Sequence, residues 1–127
     1  MRIIARLVLS LFAVAACDSK TETQNEAVAH LASVGLEAEG LTEANGMIDG
    51  AKCQQGKIDG IDAAICQFPD DAAAKAAEQS SLGWVGEAHS GTAVSSGKAL
   101  LVLADRSQAD PSGKRIDEIT KKFKGKQ

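Results

Sequence analysis

Apolar and polar positions follow their clearest pattern between Met47 and Phe68, M-I-D-G-A-K-C-Q-Q-G-K-I-D-G-I-D-A-A-I-C-Q-F. Asp59-Gly60, set between Ile58 and Ile61, suits a two-residue type I′ turn, in which both central residues need φ > 0. The turn closes a hairpin in which Cys53 faces Cys66 and Lys57 faces Asp62. Ile58, Ile61, Ala63 and Ile65 then gather on the other face. Counted outward from the turn, the two cysteines fall on a non-hydrogen-bonded pair. Side chains lie closest there, which suits a disulfide.

The rest of the pattern alternates helices with strands. Asp18 to Gln24 is a polar tether. Thr23-Gln24-Asn25-Glu26 fits a capping box, and Val28, Leu31 and Ala32 recur at helical spacing until Gly35. Leu36 to Leu41 alternates as an edge strand, and Thr42 to Gly46 is rich in turn residues. Pro69-Asp70-Asp71 opens an alanine-rich helix reaching about Leu82, ended by a Gly83-Trp84-Val85-Gly86 loop. A second hairpin runs from His89 to Ser95, turns at Ser96-Gly97 and returns from Lys98 to Asp105, so that Val94 faces Ala99. Its return strand, A-L-L-V-L-A, is apolar on both faces and is expected at the centre of the sheet as its most buried strand. Asp110-Pro111 opens a last helix carrying the stripe Ile116, Ile119 and Phe123, with Gly125 at its end. These elements predict an α+β domain: a mainly antiparallel sheet of four or five strands built from two hairpins, with helices packed on one face.

Residues 1–17, M-R-I-I-A-R-L-V-L-S-L-F-A-V-A-A-C, have a positive start at Arg2 and Arg6, a short apolar stretch from Leu7 to Val14, and then small residues. That is the form of a secretory signal, and the apolar run is too short to span a bilayer comfortably. Val14-Ala15-Ala16-Cys17 resembles the lipobox of bacterial lipoproteins. The resemblance covers only this segment. It implies cleavage before Cys17, a diacylglycerol thioether on its sulfur and acylation of its new amino group. The expected organisation is a signal peptide over 1–16, a lipidated cysteine and tether over 17–24, and one domain over 25–127. Lipidation of Cys17 also leaves Cys53 and Cys66 as a pair free to oxidise together outside the cytoplasm. The expected location is a membrane of the bacterial envelope, on the periplasmic face; the inner and outer membranes are both open, and Asp18, which resembles the inner-membrane retention signal of enterobacterial-type sorting, leans towards the inner.

Composition narrows the function. In 127 residues there are three Phe, one Trp and no Tyr, so the core is small and aliphatic. The formal charge is −3. Without Arg2 and Arg6 it becomes −5, and the body before the basic segment Lys114–Gln127 carries about −9. Such a balance argues against nucleic-acid binding, which needs a dominant basic face. The lysines at the chain's end (Lys121, Lys122, Lys124 and Lys126) suit a helix C-terminus, and they could also meet anionic lipid headgroups.

Candidate chemistry is sparse. Cys53 and Cys66 are too far apart for a C-x-x-C redox pair. His30 reads as a solvated helix residue, and neither it nor His89 has ligand-like spacing to other donors. Asp49, Asp59 and Asp62 suit turns better than a calcium loop. His89 and Ser90, adjacent on a strand, point to opposite faces. No residue is assigned as catalytic or as a metal ligand, and no cofactor is implied. Trp84 either plugs the core at the end of the sheet or, with Val85, forms an exposed interaction anchor. The expected function is a non-catalytic, lipid-anchored interaction module of the cell envelope, with another envelope protein as partner. A periplasmic solute-binding or sensing domain is the alternative, followed by an envelope enzyme.

Overall fold

The structure, a computed structural model, describes residues 19–44, 46–88 and 90–125, with side chains from Glu26 onward. The lipobox, Asp18, His89 and Lys126 lie outside the described residues. The chain order is α1 (Ser19–Ser33), β1 (Glu39–Glu43), β2 (Lys52–Ile58), β3 (Ile61–Gln67), α2 (Asp71–Ser80), α3 (Leu82–Val85), β4 (Gly91–Ser96), β5 (Ala99–Ala104) and α4 (Lys114–Phe123). The strands form one antiparallel sheet in the order β1-β2-β3-β5-β4, an α+β fold as the pattern predicts.

The β2–β3 hairpin has the expected register, with Cys53 opposite Cys66, Lys57 opposite Asp62 and Ile58 opposite Ile61. Asp59 and Gly60 take φ of 54° and 82°, as a type I′ turn requires. Cys53 and Cys66 are joined by a disulfide across a Cα separation of 4.0 Å. The second hairpin departs from expectation. Its turn is Gly97-Lys98, with Gly97 at φ 60° in the first central position, where a type II′ turn favours glycine. Val94 therefore faces Leu101 instead of Ala99. Moving the turn by one residue moves each partner by two, so every side chain keeps its face.

Helices cover both faces of the sheet, where the sequence reading placed them on one. On the first face Ile61, Ala63, Ile65, Leu101 and Leu103 pack with Ala27 and Leu31 of α1 and Ile116, Ile119 and Phe123 of α4. On the second, Ala64, Cys66, Leu100 and Val102 pack with Ala74 and Ala77 of α2. The physical reason lies in β3 and β5, which apart from Asp62 and Gln67 at the ends of β3 are apolar and buried in both alternating sets, so each face needs a cover. All six positions of β5 are buried as expected, but β3 is the middle strand.

Several element ends also differ. Helix α1 begins at Ser19, so Thr23 lies inside it. It stops at Gly35 (φ 84°), where the N–H of Leu36 bonds to the Leu31 carbonyl and that of Gly35 to the Ala32 carbonyl, a Schellman motif. The edge strand β1 sits at Glu39–Glu43, a few residues beyond Leu36–Leu41. His30, expected in solvent, is half-buried; its Nε2 donates to the Phe123 carbonyl at 2.9 Å and its ring meets Phe123 edge-on, tying α1 to α4. Asp70 caps α2 through the Ala73 N–H, as the sequence suggests.

Helix α4 starts at Lys114 and not at Pro111. Asp110 still serves its N-terminus from outside, with its carboxylate accepting the Ile116 N–H at 2.8 Å. Burial would raise this carboxyl, but the backbone N–H groups of Ile116, Arg115 and Gly113 and the Arg115 charge outweigh it and hold it below its ordinary 3.8.

Cys53→Ser removes a cross-link between residues 13 apart, worth roughly 3 kcal/mol on the chain-entropy account. Thermal melting of oxidised wild type against Cys53→Ser is expected to show a drop of about 10–20 °C for a domain of this size. An unchanged melting temperature contradicts a stabilising role for the bond.

Candidate interaction groove

The second face of the sheet is only partly roofed. Helix α2 lies over β4 and β5 with Ala74 and Ala77 buried beneath it, so it sits low and adds little bulk, and Ala73, Ala76 and Ala77 line the gap beside it. The segment from Met47 to Gly50, folded on itself by the Met47 N–H bond to the Ala44 carbonyl and the Ala51 N–H bond to the Ile48 carbonyl, forms a second wall. Between the two walls runs a groove of about 550 Å³, lined by Phe68, Pro69, Met47 and Ile48, with Trp84 also in its wall. The cystine belongs to the same apolar cluster, and Met47 and Ile48 pack against that cluster.

Trp84 does not sit on the loop that the flanking glycines suggested. Helix α2 stops at Ser80, and Leu82–Val85 forms the one-turn helix α3, with the N–H of Trp84 bonded to the Ser81 carbonyl. The indole is half-buried, neither a closed plug nor a free anchor. It packs against the second-face cluster and also lines a recess of about 530 Å³ formed by Glu39, Gln55, Lys57, Asp62 and Arg106. It is thus shared between the groove beside α2 and a recess lined by charged residues.

Arg106 holds that wall. Its guanidinium lies 4.4 Å from the centre of the indole ring, its Nη2 donates to the Trp84 carbonyl, and its Nη1 pairs with Asp62 at 2.9 Å. Asp62 also accepts from Lys57 Nζ at 2.6 Å, the pair that the hairpin register predicted. Val85, named beside Trp84 in the sequence, packs onto the sheet. A Cβ built on Gly91 would fall 2.6 Å from Val85 Cγ1 and 2.5 Å from the Leu103 carbonyl oxygen, so Val85 fills the place left by that glycine and seats α3 on the sheet. Sequence reading missed Arg106 and Leu82, the latter 41% exposed beside the groove residue Ser81. A lone arginine in a loop carries no local signal; only the fold brings it over Trp84.

The other polar candidates are scattered. Asp59 is a turn residue whose carbonyl accepts from Arg115, Asp49 stands exposed at the groove edge, and Asp62 is paired as described. Ser90 Oγ is buried without a hydrogen-bond partner among the described residues. Opposite it, Asp105 has both carboxylate oxygens occupied by the N–H groups of Ala109 and Asp110, at 2.7 and 2.9 Å. Among the described residues no group of three or more His, Cys, Asp or Glu is placed to hold a metal ion, and no helix is long and apolar enough to cross a membrane.

Partial burial would raise the Asp62 carboxyl, but the bonds and charges of Lys57 and Arg106 prevail and hold it below its ordinary 3.8. A carboxyl depressed on folding stabilises the fold above the unfolded-state pKa, and that contribution is lost as pH falls through the folded value. Because Asp62 anchors Arg106, Trp84 emission is expected to shift in acid with a midpoint below 3.8, and Lys57→Ala is expected to move that midpoint upward. A titration by tryptophan fluorescence tests both. A midpoint unmoved by Lys57→Ala contradicts the coupling.

No protein-family model matches the chain, and no curated protein or solved structure is similar to it, so the groove and its clamp stand on their own geometry.

Proposed function

We propose that the chain is a lipid-anchored module of the cell envelope that binds another envelope protein through the groove beside Trp84, without catalysis of its own. The anchor rests on the resemblance of Val14–Cys17 to a lipobox. The observation that carries the binding role is the groove itself: an open groove of about 550 Å³ between the alanines of α2 and Met47–Ile48, its apolar floor bordered by Ser80, Ser81 and Asp49, with an arginine-clamped tryptophan in its wall. A half-buried aromatic held rigidly beside apolar surface loses little entropy on binding, which favours it as an energetic centre of an interface. Several of the polar groups around it are engaged within the domain, Arg106 and Lys57 with Asp62, and Ser80 and Ser81 with helix carbonyls.

A solute-binding role is the second reading, favoured by the groove volume, which falls in the ~300–1,000 Å³ range of small-ligand sites. An apolar solute would then occupy the space between Ile48 and Ala76.

Cys17→Ser is expected to abolish labelling by a radioactive fatty acid and to leave the protein as an unprocessed precursor; labelling that persists refutes the anchor. Ala76→Arg, set in the groove wall on a helix face, is expected to remove a co-purifying envelope protein captured from membranes by in-cell crosslinking while leaving the melting temperature within a few degrees of wild type. A partner retained by a folded Ala76→Arg variant places the interface elsewhere. A small apolar molecule released from wild type in denaturing mass spectrometry, with no protein captured, supports the solute reading instead.

A further inference from the structure

The two edges of the sheet are treated differently. At one edge, β1 carries Glu39 and Glu43 and breaks register with β2 between Glu39 and Thr42, features that discourage strand addition. At the other, β4 reads G-T-A-V-S-S and holds no charge. Its pairing with β5 fixes which backbone groups face outward. The Asp105 N–H bonds to the Ser90 carbonyl, so even-numbered residues of β4 face β5 and Gly91, Ala93 and Ser95 present their N–H and C=O groups to the open side.

One of these outward positions is already taken. Glu78 reaches over from α2 and accepts the Ser95 N–H at 2.8 Å and the Ser95 hydroxyl at 2.7 Å. Burial would raise that carboxyl, but the two Ser95 bonds, with Lys75 and Lys124 behind them, outweigh it and favour the ionised form. Gly91 and Ala93 remain with unpaired outward groups among the described residues, and Gly91 is exposed. What completes them is an extended strand.

We propose that the β4 edge pairs with the β4 edge of a second copy of this chain, antiparallel and centred on Thr92. This two-fold register pairs both open positions, Gly91 and Ala93, with each other and makes no call on the Ser95 N–H that Glu78 holds. Gly91 of each copy exchanges both backbone hydrogen bonds with Ala93 of the other, four bonds in all, and Ser95 takes no part. A register centred on Ala93 would set Ser95 against Gly91 and require the Ser95 N–H that Glu78 holds. The side chains are small and uncharged, so no like charges on the strand itself meet across the axis. The two sheets become one, without either copy refolding.

At the axis the two Thr92 residues form a non-hydrogen-bonded pair, with Cβ atoms roughly 4.5–5.5 Å apart, a separation suited to a cross-link. The test uses the full chain carrying Cys17→Ser, so that an added thiol is alone outside the Cys53–Cys66 bond. Under mild oxidation, Thr92→Cys is expected to give a disulfide-linked dimer at least roughly tenfold faster than Ser96→Cys, whose position lies off the axis. Adding Ala93→Pro removes an outward N–H without touching the β5 ladder, and is expected to slow the Thr92→Cys cross-link by roughly tenfold, in line with the loss of two of the four bonds. Circular dichroism confirms that each variant is folded. Equal rates for Thr92→Cys and Ser96→Cys, or a Thr92→Cys rate unaffected by Ala93→Pro, overturn the proposal.

Discussion

The structure depends on a middle pair of strands with no polar face. Residues 61 to 67 of β3 and 99 to 104 of β5 are buried almost throughout, so neither side of the sheet can be left to water. A strand with one polar face would accept helices on one side and solvent on the other. Here both sides need a roof, and the chain supplies α1 and α4 to one and α2 and α3 to the other. The disulfide belongs to this arrangement, because it fixes the β2–β3 pairing on the second face, where the roof is thinnest.

The thin roof leaves a gap beside α2. Alanine on the inner surface of α2 brings the helix close to the sheet but cannot fill the space beside it, and the Met47–Gly50 segment closes only the far wall. The groove left between them is lined by apolar side chains together with Ser80, Ser81 and Asp49, and its tryptophan is stacked against a guanidinium that also holds Asp62. One ion-paired loop residue thus ties the groove's tryptophan to the β2–β3 hairpin. The same second face gives β4 its guard, since Glu78 on α2 covers the Ser95 N–H.

Much of the fold was legible where chemistry is local. Asp59-Gly60 specified its turn, and with it the register that pairs Cys53 with Cys66 and Lys57 with Asp62. Gly35 and Asp70 marked helix ends by the conformations and bonds they favour. Where two local solutions were close, the pattern misled. Ser96-Gly97 and Gly97-Lys98 both place a glycine in the turn, and only the backbone sign of Gly97 in first position separates them. Asp110-Pro111 looks like a helix start, yet Asp110 serves the helix from three residues outside its N-cap. The double-sided apolar character of A-L-L-V-L-A already argued for helices on both faces. The site was least legible, because Trp84 acquires its role from Arg106 and Asp62, residues remote in sequence that meet only when β3, β5 and α3 are assembled.

The central claim is that the groove between Met47–Ile48 and α2 is the surface by which the module meets its partner. The most direct measurement is in-cell photocrosslinking with a benzophenone amino acid placed at Ile48, in the groove wall, and at Asp117, exposed on α4 across the sheet. The account predicts a discrete crosslinked species from position 48 that is absent from position 117 and lost when Trp84→Ala is added. The same species from both positions, or one from position 117 alone, would contradict it.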